Sequence, residues 1–116
     1  ELNLLLGESW LESKEVAKAI PPLEKAVAAD PKLLRARAVL GRAYVEDGQA
    51  ARAVPHLEAA LPTDDDGSLH LQLARAYRET GRPDEATRTL ASFQDLRQAN
   101  KARLESDKEE FAITPP

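Results

Sequence analysis

Two histidines and a run of three aspartates are the residues whose types could do chemistry in this 116-residue chain. His56 and His70 carry no nucleophile or paired carboxylate at a spacing that would make either one a general base. No Gly-rich phosphate loop and no zinc-ligand spacing occurs. The stretch Asp64-Asp65-Asp66-Gly67 invites a calcium reading. Laid on a calcium-loop template through Asp64, Asp66 and Gly67, it puts Leu73 where the bidentate glutamate belongs. The acids are therefore read as a solvated turn in which Asp66 or Ser68 caps a following helix. His70 is expected at a helix contact and His56 facing solvent. Neither catalysis nor a cofactor is expected.

Composition bounds the rest. A net charge of −4, with 31% charged residues of both signs, argues against a general nucleic-acid or anionic-membrane binder. The chain has no cysteine, so it has neither disulfides nor thiolate metal sites. The apolar run Leu4-Leu5-Leu6 is too short to span a bilayer, and no signal-peptide layout is visible. Beginning at Glu1 inside what reads as a helix, the chain is expected to be a fragment, and its compartment is left unknown.

What the sequence does carry is a beat. Leu6-Gly7, Leu40-Gly41 and Leu73-Ala74 correspond at offsets of 34 and 33 residues. Trp10, Tyr44 and Tyr77 keep those offsets, as do Ala19, Ala53 and Ala86 with Leu23, Leu57 and Leu90. Such a period marks a repeat array. Gly7, Gly41 and Ala74 would let two helices approach closely, an aromatic one turn later would fill the gap, and each Ala-x-x-x-Leu pair would form the facing stripe of a second helix. On these residues the chain resembles the tetratricopeptide repeat family over roughly residues 1–94. The family's leading Trp is replaced by Asn3, Arg37 and His70. The resemblance implies an all-α fold, a right-handed α-α superhelix (solenoid) of three helical hairpins, serving as a protein-binding module.

The chain then divides into a first repeat at 1–30, a second at 31–65, a third at 66–94, an extension of the last helix at 95–111 and a frayed tail at 112–116. The first helix runs to about Glu12 with Leu2, Leu6 and Trp10 on one side. Leu4, Leu5 and Leu11 make the other side apolar too, so it either abuts another repeat, domain or copy or forms the apolar end of a groove. Pro21 and Pro55 recur in phase inside second helices and read as bends on an outward face, the alternative being that these helices start late. Pro31 is expected to open the third helix and Gly48 to end it. The linker from Pro62 to Gly67 holds the one-residue deletion. Phe93 is too large for a close helix contact and marks the array's end. The last helix, from Arg82-Pro83 to about Glu110, is about twice as long as its repeat requires. Its far half, with Leu104 and Phe111, is read as a free polar extension, with a cap or a dimer contact as alternatives.

In the family the resemblance implies, the far side of each first helix lines a concave groove. That side holds Glu1, Leu4, Leu5, Glu8, Leu11 and Glu12 in the first repeat. In the second it holds Arg35, Ala38, Val39, Arg42, Val45 and Glu46, and in the third Ser68, Leu71, Gln72, Arg75, Arg78 and Glu79. Arg35, Arg42, Arg75 and Arg78 could grip an acidic segment or a C-terminal carboxylate. Equally, Arg42 and Arg75 precede Glu46 and Glu79 by four residues and could simply neutralise them. The residues that clamp chaperone tails in some members are absent: Leu4, Glu8, Val39, Ser68 and Gln72 stand there.

The expected function is an interaction module holding a peptide or helix of a partner protein, with an acidic segment of that partner as one option. The alternative is a structural spacer or homo-oligomerising segment that dimerises through the first or last helix.

Overall fold

The computed structural model describes residues 1–112, and the expected tail beyond Ala112 lies outside them, as does the placement of the Phe111 side chain. Six α-helices form three antiparallel hairpins: α1 (Leu2–Glu12) with α2 (Val16–Ala29), α3 (Leu34–Glu46) with α4 (Ala50–Ala60), and α5 (Ser68–Glu79) with α6 (Pro83–Ala112). A 3₁₀ turn, Leu61–Thr63, leads out of α4. The hairpins stack as a right-handed superhelical solenoid, each second helix also packing on the next hairpin's first helix, within an envelope of 56 × 36 × 26 Å.

The repeated letters become repeated packing. Leu23, Leu40, Leu57 and Leu73 are the largest fully buried side chains, with Val45, and Tyr44 and Tyr77 are wedged in the core at 4% and 6% exposure. Trp10 is only half-buried, with the Lys18 ammonium 5.0 Å above its ring. A methyl group at Gly41 would come within 2.7 Å of the Leu57 side chain, and one at Gly7 would collide with Leu23. Glycine at these positions is what lets the two helices of a hairpin touch.

The turns inside the hairpins share one geometry. The backbone N–H of Glu15, Gln49 and Arg82 donates to the carbonyls of Trp10, Tyr44 and Tyr77. The residue before each donor is left-handed: Lys14, Gly48 and Gly81. This closes the first helix of each pair in the manner of a Schellman motif.

Pro21 and Pro55 sit inside α2 and α4 with their rings exposed. The carbonyls they leave without an intrahelical donor belong to Ala17 and Ala51, both exposed residues on the solvent side of their helices. Pro31 does not open α3. The Lys32 N–H donates to the Asp30 carboxylate and the Leu33 N–H to the Asp30 carbonyl, a local turn that delays the helix to Leu34.

α6 is tied down only part of the way. Phe93 lies over Gly67, and Asn100 Nδ2 donates to the Asp65 carbonyl at 2.9 Å. From Lys101 to Lys108 every residue is exposed, including Leu104 at 59%. α6 is described through Ala112.

Candidate groove on the concave face

α1, α3 and α5 line up side by side, α1 touching α3 and α3 touching α5. Each first helix therefore has two non-core flanks: one turned to its neighbouring first helix, the other to the groove. The expectation of a single groove face merged them. Leu4 and Leu11, at 4% and 5% exposure, lie among the buried core side chains, and Val45 is fully buried. Leu4 is thus corrected from groove lining to core; Leu11 also forms the wall of a small cleft. Leu71 and Arg78, equivalent to them on α5, are exposed because no first helix follows α5 among the described residues. Leu6 is 46% exposed while its equivalents Leu40 and Leu73 are 1% exposed, since the preceding hairpin's second helix packs on α3 and on α5, and α1 has no such neighbour among the described residues. Leu2 and Leu5, at 79% and 58%, extend that apolar surface.

Two clefts open on the concave side and share Val39 and Arg42. The smaller, about 80 Å³, lies between Glu8, Leu11 and Glu12 of α1 and those two residues of α3. The larger, about 390 Å³, lies between α3, α5 and the linker; Ala38, Val39 and Leu69 give it apolar surface, with Glu46 and Asp64–Asp66 around it and Gln72 in its wall.

Most of the expected groove arginines already have partners. Arg35 holds both Glu8 oxygens, at 2.9 and 3.2 Å, which links α1 to α3 and raises its pKa through that hydrogen bond and the Glu8 charge. Arg42 meets Glu46 at 3.3 Å and Arg75 meets Glu79 at 3.0 Å, the one-turn pairs whose spacing is visible in the sequence. These exposed pairs leave the groove without an ordered array of uncommitted guanidinium groups. Arg78 makes no ion pair among the described residues.

The linker is more built than a solvated turn. The Asp64 side chain is 2% exposed. Its Oδ1 accepts the Gly67 N–H at 3.1 Å, and its Oδ2 accepts the His70 N–H at 3.0 Å and lies 2.6 Å from His70 Nδ1. The contact ties the His70 ring to the linker. Asp66 accepts the Ser68 N–H at 2.9 Å, a bond that lowers its pKa. Two acids thus take the N–H groups of Gly67, Ser68 and His70 at the start of α5. Asp66 fulfils the expected role, while Asp64, reaching six residues forward, was hidden because sequence spacing does not show a loop folding back. The three aspartates bring carboxylate oxygens within 4.8 Å of one another, but both oxygens of Asp64 are already engaged by protein donors.

His56 is half-buried rather than solvent-facing. It stacks on Tyr44 at 5.9 Å, with Nδ1 shut away without a hydrogen-bond partner. Burial, aided by the charge of Arg37, lowers its pKa. Tyr77 donates to Glu58 at 2.5 Å under the Arg82 guanidinium; burial and that acceptor push its pKa up to about 12.

Stacked helical hairpins with a concave face define a helical-repeat scaffold. The chain belongs to the tetratricopeptide repeat family, whose model matches residues 10–69 and 45–105. Among solved structures it is similar to MamA AMB-1, with 26% identity and a TM-score of 0.74 over 84% of this chain and 58% of that one. It also resembles MamA MSR-1 in fold, with 24% identity and a TM-score of 0.74 over 84% and 57%. The chain therefore spans just under three fifths of the length of these structures. None of the curated proteins compared with it matches. The tetratricopeptide repeat is a protein-interaction scaffold, and this chain is built on it. No helix among the described residues is long and apolar enough to cross a membrane.

Proposed function

We propose that the chain holds an extended or helical segment of a partner protein in its concave groove. The observation that carries this reading is the pair of clefts that share Val39 and Arg42 as lining, one against α1 and the other against α5. Glu8, Glu12, Val39, Arg42, Glu46 and Gln72 line these clefts, whereas Arg35 and the Arg75–Glu79 pair are charge-balanced groups that line neither. A large side chain at Val39 obstructs both clefts at once. In quantitative pull-down, Val39→Trp should lose the partner while its helical circular dichroism stays unchanged. Undiminished capture overturns groove binding.

An acidic partner segment would have to displace Glu46 and Glu79 from their arginines. Reversing Arg42, Arg75 and Arg78 to Glu separates the two charge readings: it abolishes capture of an acidic segment and leaves capture of a non-acidic one intact.

The exposed row Leu2, Leu5 and Leu6 favours a second reading, in which α1 meets another helix, from a larger protein or a second copy. Light scattering of the chain at high concentration tests the second copy. A doubled mass that returns to 12.7 kDa when the three leucines become Gln supports self-association. A monomer at all concentrations excludes it.

A further inference from the structure

We infer that the larger cleft selects a lysine or arginine side chain of the bound segment, an inference that rests on the groove reading above. Its apolar surface, Ala38, Val39 and Leu69, suits the carbon stem of a long cationic side chain, which can lie along such surface with its charged end in water. The charge around it is negative and incompletely balanced. Arg42 is committed to Glu46, and the His70 ring can offset Asp64 at most, so Asp65 and Asp66 face the cleft without an ion pair among the described residues.

The α5 N-terminus works in the opposite direction. A helix start carries roughly half a positive charge and by itself attracts anions. Here Asp64 and Asp66 have already taken the N–H groups of Gly67, Ser68 and His70. Two full carboxylates outweigh that half charge, and Asp65 adds a third. An incoming carboxylate would meet repulsion on the linker side and a preoccupied Arg42 on the other.

A random twelve-residue peptide library displayed on phage, selected on the wild-type chain and counter-selected on Val39→Trp, tests the inference. Cleft-dependent peptides should be enriched in Lys or Arg beside an apolar residue. Their affinity should fall about fivefold on Asp65→Asn combined with Asp66→Asn, the size expected for two partly exposed charge pairs. Asparagine can still cap Ser68, so the fold is kept, and circular dichroism verifies it. Cleft-dependent peptides that are neutral or acidic, or that ignore the double substitution, overturn the cationic specificity while groove binding stands. No peptide distinguishing wild type from Val39→Trp overturns both.

Discussion

Lys14 and Gly48 occupy the same place in successive hairpins, with φ of 64° and 78°, each just before the residue whose N–H closes the helix end. A side chain in the left-handed region costs about 1 kcal/mol or more, which glycine avoids. Lys14→Gly should therefore raise stability by about 0.5–1 kcal/mol, read as a higher urea midpoint at unchanged slope. Gly48→Lys should lower it by a similar amount. A destabilised Lys14→Gly would mean that the lysine side chain holds the turn.

Contact between Gly41 and Leu57 makes a prediction whose sign reverses with background. Alanine at Gly41 would place a methyl 2.7 Å from two atoms of a leucine that is fully buried and has nowhere to go. Overpacking of about 1–3 kcal/mol should exceed the helix-propensity gain of about 1 kcal/mol. With Leu57→Ala already present, the same Gly41→Ala change should stabilise. A double-mutant cycle followed by urea unfolding checks both signs.

Asp64 holds the start of α5. Asp64→Ala removes a first-turn acceptor and leaves His70 Nδ1, on a side chain 12% exposed, without its partner. The combined loss should be about 2 kcal/mol, with Asp64→Asn recovering part of it. Asp65→Ala, whose side chain is exposed and holds no such bond, serves as the control and should change stability by less than about 0.5 kcal/mol.

His56 makes the fold acid-sensitive. Its folded pKa lies below the ordinary 6.5 because burial and the Arg37 charge oppose protonation more than Glu24 favours it. The unfolded chain thus takes up a proton at a higher pH than the folded one. Stability is complete above 6.5 and declines as the pH falls from there towards the folded value. Thermal melts from about pH 8 to about pH 5 should show a steeper loss of Tm for the wild type than for His56→Leu, which cannot titrate. Parallel curves would refute the assignment.

The fold was legible in the letters because packing repeats with them. Gly7 and Gly41 mark close approaches, and Tyr44 and Tyr77 mark wedges, at a period that can be counted. The groove was legible only in part. A turn of about 100° per residue puts Glu8, Arg42 and Glu46 on a shared side, and all three line the clefts, yet it cannot say which side of α1 meets α3. Leu4 was misplaced for that reason, and the exposed Leu6 is an effect of position in the array. Asp64 with His70 and Phe93 over Gly67 depend on how a linker folds back against helices, which no local period encodes.

From Lys101 to Lys108 every residue of α6 is exposed. A helix this short, supported only by its own backbone bonds, is marginal in water and opens far more often than the stacked hairpins. Trypsin should consequently trim the molecule at Lys101, Arg103 and Lys108 long before it breaches the solenoid, and amide deuteration should run inward from that end and halt near the Asn100 tether. The chain thus carries a shaft that can be shortened without loosening the stack it projects from.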